Sequence, residues 1–349
     1  MSDEFVDKVV EQSKMYAHQK GYPGKADRVT RETMLCSQAV LLLSGYSRLP
    51  SMKMYWEECP DTYSYLVTEN IRRDTFEAVL WCTHFTDNDL LDPQEKFAKV
   101  RPLFTQLNTT AKEYLPISQT LCVDEMMVPY FGPHSCKQYI RGKPIRYGYK
   151  IWGLCSSKGW TIHLEPYCGS STQLDKFNMG QGPDVVMGLV VKADPSPGSR
   201  IYFDNLFTSV PLLECLSERG LGGTGTVTQA RMKAIPLPNR KDVEKQWDRG
   251  QYTMVYHKDI VAVVWKDNKG VCLMSNIHEV EPPHQVKRWS KQEHKYTHVT
   301  MPALIDDYNC NMGGVDMIDK MVGAYRIRYS NITIQYGTIR YNMVQYCTV

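Results

Sequence analysis

A series of short strand-like runs begins at about residue 119 and limits the folds open to this chain. The runs are rich in aliphatic, β-branched and aromatic residues and are bounded by Gly, Pro or Ser clusters, which is typical of strands. Three come in succession, "TLCVDEMMVPY", "YGYKIWGLC" and "WTIHLEPY"; after a poorly defined helical stretch comes a fourth, "GSRIYFDNLFTS". A capped helix at "PLLECLSERG" and a fifth strand at "GGTGTV" follow. This order predicts a mixed α/β unit over 119–228.

The first third of the chain instead predicts helices, because apolar residues recur there at helical spacing. Three stripes carry this pattern: Phe5, Val6, Val9, Val10 and Tyr16; Phe76, Val79, Leu80 and Cys82; and Phe97, Val100, Phe104 and Leu107. Beyond the α/β unit, the stretch 252–276 predicts more strands, with a hairpin at 266–270. A β-rich insert is therefore expected before the C-terminal part of the chain.

Two aspartates lie inside the apolar strand runs. Asp124 is in the middle of the first run, within "CVDEMM", and Asp204 is at the end of the fourth, within "YFDNLF". An acid is disfavoured in such a run by β propensity and by burial, so each carboxylate needs a compensating partner. A buried ion pair, or a carboxylate that caps a neighbouring turn, would satisfy either residue alone.

A further pair of acids follows two glycines in "NCNMGGVDMIDKM" at 309–321. Asp316 and Asp319 are three residues apart, so in a helix both would project from one face of its first turns. Acids also favour a helix N-terminus through the macrodipole, which alone could explain them. If Asp124, Asp204 and Asp316 come together, however, their like charges repel unless cations neutralise them.

Oxygen-only ligands of this kind favour Mg²⁺ or Mn²⁺. Two such ions would activate a water and stabilise the leaving oxygen in phosphodiester cleavage or transfer. His294 and His298 are four residues apart, but no cysteine pair or HExxH context accompanies them, so no zinc site is predicted.

The composition is that of an ordinary globular protein, with 42% hydrophobic and 23% charged residues. A formal net charge of +3 means that any basic surface for nucleic acid must be local. The start of the chain is charged and its apolar runs, such as "AVLLL", are far too short for a membrane span, so we expect a soluble intracellular protein with no membrane partner. The eleven scattered cysteines include no C-x-x-C pair, which predicts reduced thiols.

Several blocks resemble the piggyBac family of transposases and the piggyBac transposable element-derived proteins. They include "CVDEMMVPYFGPHSCKQYIRGKPIRYGYKIWGLC", "YFDNLFTSVPLLECLSERG" and "YNCNMGGVDMIDKM", with "LLLSGYSRLPSMKMYW" and "RRDTFEAVLWCTHFTDND" upstream. The resemblance covers about residues 5 to 330 and keeps the family's block order.

The resemblance implies an RNase H-like catalytic core with an N-terminal helical region and a β-rich insertion before the last catalytic helix. Its first and fourth strands would be adjacent, so Asp124 and Asp204 would face a common metal site. Asp316 would complete a three-aspartate site, with Asp319 as an additional ligand or a supporting group. The expected units are a helical dimerisation and DNA-binding region at 1–117, the core at 118–228, the insertion at 229–300, the core helix at 301–330 and an atypical tail at 331–349.

The activity implied by the resemblance is that of a nuclear transposase. Its DNA partners would be transposon ends and TTAA targets, its cofactors two Mg²⁺ (or Mn²⁺) ions, and the intact family member would be a homodimer. The stretch "KQYIRGKPIRYGYK" interleaves basic residues with Tyr139, Tyr147 and Tyr149, which suits phosphate contact and base stacking, although a solvated strand face is the plainer interpretation. Its candidate DNA-binding residues are Lys137, Arg141, Lys143, Arg146 and Lys150.

The chain departs from the family pattern after Ser330, where "NITIQYGTIRYNMVQYCTV" replaces the expected helices and zinc-binding module. This departure predicts a C-terminally truncated member that is impaired in complete transposition. The alternative is a domesticated, transposase-derived DNA- or chromatin-binding protein without catalytic activity, and a ribonuclease of the same fold is a more distant one. The retained aspartates show capacity for catalysis and do not decide between the first two.

Overall fold

Helices dominate the chain up to residue 114, and strands dominate from residue 120 to residue 301. This computed structural model describes residues 2–115, 118–232, 235–277, 279–291 and 293–324. The predicted tail at 331–349 lies outside the described residues, as does the end of the predicted core helix beyond residue 324.

The N-terminal helices begin where the sequence supplies side-chain caps. The hydroxyl of Ser2 accepts a hydrogen bond from the backbone of Phe5 at the start of the first helix, and Thr30 and Thr33 form a capping box at the third. The helices are α1 (Asp3–Gln19), α2 (Pro23–Ala26), α3 (Arg31–Tyr46), α4 (Tyr65–Thr68), α5 (Arg73–Cys82) and α6 (Arg101–Tyr114), with short 3₁₀ helices at Met52–Trp56 and Asn88–Leu90.

The third predicted stripe is only partly helical. Phe97 and Val100 are buried, but they lie in turns before α6, which begins at Arg101. The prediction of one helix through all four positions was therefore wrong at its start. Pro102 fits the first turn of α6, where a missing N–H costs nothing, and so favours a helix that begins just there.

A mixed sheet follows, and it contains the five strand runs predicted for 119–228. Its strands are β1 (Thr120–Pro129), β2 (Lys137–Tyr139), β3 (Tyr147–Ser156), β4 (Thr161–Pro166), β5 (Arg200–Phe203) and β6 (Gly222–Thr226), joined by a 3₁₀ turn at Gly169–Ser171, α7 (Gln181–Ala193) and α8 (Val210–Glu218). The short edge strand β2 was not predicted. β1 pairs antiparallel with β3 and parallel with β5, so the first and fourth predicted strands are neighbours.

The predicted insert extends this sheet. It comprises a 3₁₀ turn at Gln229–Met232, α9 (Arg240–Gln246), β7 (Tyr252–His257), β8 (Ile260–Lys266), β9 (Gly270–Ser275) and a separate two-stranded ribbon of β10 (His284–Ser290) and β11 (Lys295–Met301), before α10 (Ala303–Asn311) and α11 (Gly314–Ala324). The predicted hairpin joins β8 to β9. Within the described residues, the nine-stranded order is β2-β3-β1-β5-β6-β9-β8-β7, with β4 beside β3.

Both faces of β1 are buried. Cys122 and Met126 pack in one core cluster with α11 and residues of the N-terminal helices, whereas Leu121 and Val123 pack in a second cluster with α7 and α8. An acid in this strand is therefore placed between two helical layers. No helix among the described residues combines the length and the apolar character needed to span a bilayer.

Candidate functional site

Asp124 and Asp204 lie at the same point of the sheet, each one residue beyond the last pair that joins β1 to β5. That pair is Val123 with Phe203. β5 ends at this pair, while β1 continues to Pro129, so the chain leaves the sheet at Asp204 and the later half of β1 is not covered by β5. Clefts at the carboxyl ends of parallel strands commonly hold ligands.

Helix α11 is seated directly on β1 and β3, and a glycine permits this. A Cβ on Gly314 would lie 2.2 Å from the carbonyl oxygen of Ser156 and 2.5 Å from the Sγ of Cys122. Val315 is fully buried and packs near Gly153, the residue that pairs with Asp124 across the sheet. The next residue of the helix is Asp316, so close packing brings this acid to the part of the sheet that holds Asp124.

The neighbouring carboxylates disfavour one another's charge. Burial, followed by the charge of Glu125 and then that of Asp204, raises the pKa of Asp124 to about 7. Burial also raises the pKa of Asp204, with Glu125 contributing. The pKa of Asp319 is raised to about 6, first by burial and then by Asp316 and Glu125, against the opposing effect of Lys143. Each of these three aspartates therefore has another acid among the causes of its raised pKa.

Lys143 and Glu125 also belong to the surroundings of these aspartates, and we define the acid cluster as Asp124, Glu125, Asp204, Asp316 and Asp319. The Lys143 Nζ lies 3.3 Å from Glu125 Oε1 and donates to the Glu125 carbonyl oxygen at 3.5 Å. Burial lowers the pKa of Lys143, but the charges of the surrounding acids outweigh it and raise the pKa overall. Glu125 Oε2 is buried and has no hydrogen-bond partner among the described residues. The contact of Lys143 with DNA stays a prediction; in this structure its ammonium group lies against Glu125.

Asp204 is held by the turn that follows β5. Its Oδ1 accepts a 2.7 Å hydrogen bond from the backbone N–H of Leu206, and its carbonyl oxygen accepts one from the Thr208 hydroxyl. The exposed Arg231 donates to the carbonyl oxygens of Leu206 and Thr208 at 3.0 and 2.6 Å. Sequence reasoning missed Arg231, because only folding brings it to this turn.

Tyr308 of α10 was also missed. Burial raises its pKa to about 12, and the charges of Asp204 and Asp124 contribute. Its hydroxyl is therefore neutral, and its hydrogen-bond partner is Thr226.

The donor chemistry of the cluster fits a hard divalent cation. Carboxylates with raised pKa values and one buried carboxylate oxygen without a partner are groups that a cation would stabilise. In the part of the chain that the structure describes, no three His, Cys, Asp or Glu side chains are already arranged as metal ligands. The carboxylate side chains would therefore have to move before several of them could coordinate one ion.

The hairpin of β2 and β3 carries the other predicted DNA-binding residues, and they differ in setting. Arg141 and Arg146 are exposed at its tip. Tyr139 and Tyr147 are exposed as well, with ring centroids 4.8 Å apart. Lys137 is half-buried in β2. The tip therefore offers basic and aromatic groups to solvent.

Lys150 and Tyr149 face inward instead. The Lys150 ammonium lies 4.0 Å from the ring centroid of Trp152 and 4.3 Å from that of Tyr167, and burial lowers its pKa. Tyr149 is buried and stacks on Tyr130 at 4.7 Å. Tyr147 and Tyr149 lie on one face of β3, but the Tyr149 ring packs into a core cluster and is not available to stack on a base.

The ribbon of β10 and β11 presents a second basic and aromatic surface that the sequence did not reveal. Lys287 pairs with His298, and Trp289 pairs with Tyr296, so all four lie on one face. The two aromatic rings are exposed and meet edge to face at 5.2 Å. Alternate positions, such as Val286 and Val299, pack into a core cluster on the opposite face.

Comparison with known proteins agrees with this architecture. A model of the transposase IS4 family matches residues 1–349. The chain therefore belongs to the transposase IS4 family, and its relatives are of the piggyBac type.

Two human relatives are piggyBac transposable element-derived protein 3, which is 36% identical over 93% of this chain, and piggyBac transposable element-derived protein 2, which is 33% identical over 92%. The chain covers 55% and 54% of these proteins, so it spans about half of their length. A solved structure, the cryo-EM piggyBac transposase synaptic complex with hairpin DNA, superposes with a TM-score of 0.77 at 20% identity, over 99% of this chain and 70% of the other. This likeness shows the shared fold.

Proposed function

We propose that this chain carries the RNase H-like catalytic core of a piggyBac-like transposase, which cleaves and transfers DNA strands at TTAA sites with the help of divalent metal ions. One observation above all supports this proposal. Asp124 and Asp204 each follow the last pair that joins β1 to β5, and α11, which carries Asp316, packs on β1 and β3.

Asp124, Asp204 and Asp316 would hold the metal, with Asp319 as an additional ligand or a supporting group. The ions would be two Mg²⁺, or Mn²⁺, and when bound they would supply Lewis-acid activation of a water and charge neutralisation at the leaving oxygen. The carboxylate-rich donor set matches the preference of these ions for oxygen ligands.

Residues around the acids have roles that follow from their positions. The buried side of α11 packs on β1 and β3 and fixes the helix that carries Asp316. Arg231 secures the turn that holds Asp204, and the Tyr308 hydroxyl stays neutral. These groups would keep the acids in place while a phosphodiester is positioned.

DNA is the proposed partner, and two surfaces suit it. The hairpin tip with Arg141 and Arg146 can contact phosphates, and the exposed aromatic residues of the hairpin and the ribbon can stack on unpaired bases. The solved relative is a transposase synaptic complex with hairpin DNA, and we propose transposon ends as partners for this chain too. The protein would act in the nucleus, and the intact family member would be a homodimer.

The alternative is a domesticated DNA- or chromatin-binding protein that no longer cleaves. Its support is that both human relatives are named as element-derived proteins, and that a lysine already neutralises part of the acid cluster. The impairment of complete transposition expected from the sequence stays a prediction.

A nicking assay separates the two candidates. Purified chain would be incubated with Mn²⁺ and DNA that carries the element's own terminal repeats flanked by TTAA. We expect strand nicks at the repeat ends, their loss in Asp124→Asn and Asp204→Asn, and their retention in Asp259→Asn, which removes an exposed acid of the β7–β8 turn. DNA binding without metal-dependent nicks would favour the domesticated protein.

A further inference from the structure

We infer that Lys143 is an internal cation that competes with divalent metal for the acid cluster, so that metal binding requires its ammonium group to leave. This inference rests on the proposed metal site. It concerns a residue that the basic and aromatic pattern of the sequence made a candidate for DNA contact.

The geometry assigns this role to one lysine of the hairpin. Lys143 lies in the turn after β2. Its Nζ is 3.3 Å from Glu125 Oε1 and 3.5 Å from the Glu125 carbonyl oxygen. The side chains are 28% and 14% exposed, so solvent screens this pair only in part. The second oxygen, Glu125 Oε2, is left without a partner among the described residues, which means that one ammonium does not satisfy the site.

The same ammonium acts on the rest of the acid cluster. Its charge favours ionisation of Asp124, Asp204 and Asp319, while the charges of Asp124 and Asp316 act on Lys143 in return. A divalent cation bound by these carboxylates would meet a like charge at Lys143. The carbonyl of Glu125 belongs to the part of β1 beyond the β5 pairing, so the lysine is held at an open strand edge that it can leave.

Metal affinity tests this directly. We would measure the Kd for Mn²⁺ by isothermal titration calorimetry in the wild type, Lys143→Gln, Lys143→Arg and the control Lys137→Gln, which alters a half-buried lysine of the same hairpin. Removal of one nearby positive charge should tighten Mn²⁺ binding by about tenfold or more in Lys143→Gln. Lys143→Arg and Lys137→Gln should stay within about threefold of the wild type. Without metal, Lys143→Gln should also melt at a lower temperature than Lys137→Gln.

The possible outcomes distinguish the competing lysine from the metal site on which it acts. A lysine needed only for structure would leave Mn²⁺ affinity unchanged or weaken it when replaced by Gln, and either result in a metal-binding wild type overturns the inference alone. Metal binding by Lys143→Gln but not by the wild type supports it strongly. Absence of Mn²⁺ binding in all four proteins overturns the metal site and the inference together.

Discussion

At the scale of single residues, the acid cluster is a group of like charges that folding holds together. Asp124 could be identified from the sequence because an acid inside an apolar strand run needs a compensating partner. Glu125 and Lys143 were not identifiable as a pair, because their contact depends on a hairpin that folds back over β1. The charge balance of this site is therefore a property of the tertiary structure, while its aspartates can be predicted from local pattern.

The first prediction concerns pH and Asp124. Its folded-state pKa of about 7 lies above its ordinary value, so the folded state holds this proton more tightly than the unfolded chain. Protonated Asp124 therefore adds to the free energy of unfolding below about pH 4, and this contribution is lost as the pH rises through about 7. In metal-free buffer, Asp124→Asn should be more stable than the wild type at pH 8 by about 1–3 kcal/mol, with little difference at pH 4. Urea unfolding at the two pH values measures this, and equal stability of the two proteins at pH 8 would contradict it.

The second prediction concerns metal and the same residue. Because a bound ion stabilises the folded state by mass action, Mn²⁺ at about a hundred times its Kd should add about 2.7 kcal/mol to the wild type. Asp124→Asn should lose most of this gain, and Asp259→Asn should keep it. Thermal melts across an Mn²⁺ series provide the comparison. A gain of equal size in Asp124→Asn would show that metal binds elsewhere.

At the scale of elements, the two glycines before Asp316 have different tasks. A methyl group on Gly314 would meet the backbone oxygen of Ser156, whereas one on Gly313 would meet nothing within 4 Å. Gly314→Ala must therefore lift α11 from the sheet, while Gly313→Ala has room. The start of α11 can pack directly on the sheet because Gly314 has no side chain.

The third prediction follows from this contrast. Gly314→Ala should lower the free energy of unfolding by about 1–3 kcal/mol and weaken Mn²⁺ binding, since it displaces Asp316. Gly313→Ala, the matched control, should stay within about 0.5 kcal/mol of the wild type. Chemical denaturation and calorimetry of both variants measure these effects. Equal behaviour of the two variants would mean that the packing of α11 does not position the acid.

The fourth prediction concerns the β2–β3 hairpin. If Arg141 and Arg146 contact phosphates, replacing both with Gln should reduce the slope of log Kd against log salt by about 2 and weaken binding uniformly across sequences. Lys150→Gln should leave the slope unchanged, because that ammonium lies over Trp152 and Tyr167. Fluorescence anisotropy with duplex DNA at several salt concentrations tests both. An unchanged slope in the double variant would remove the hairpin tip from the DNA interface.

The sequence allowed the main elements to be predicted where periodicity is strong and local caps are present. It predicted α8 from its Ser209 cap and early proline, and the β8–β9 hairpin from its turn. It did not reveal β2, which is only three residues long, or the β10–β11 ribbon, whose polar and exposed pattern lacks an apolar run. Phe97 and Val100 misled the helix prediction, because burial at helical spacing can also arise from turns that pack on a core.

At the scale of the whole molecule, one sheet contains strands of both the predicted core and the predicted insert. β9 pairs with β6, so the strands of the predicted insert continue the core sheet. Arg101 at the start of α6 bonds both Glu165 of β4 and Glu95, and this largely buried link joins the N-terminal helices to the sheet. Because such links depend on residues far apart in the chain, the relative placement of units could not be predicted without the resemblance to a known family.

The most direct test of the proposed active site is the anomalous scattering of Mn²⁺ in crystals of this chain soaked with MnCl₂ at about pH 7.5, above the raised pKa of Asp124. We expect an anomalous peak within coordination distance of carboxylate oxygens from Asp124, Asp204 and Asp316, with the Lys143 ammonium displaced from Glu125. Crystals of Asp124→Asn should lack the peak. Occupied manganese elsewhere on the protein, with these three aspartates unliganded, would contradict the proposed active site.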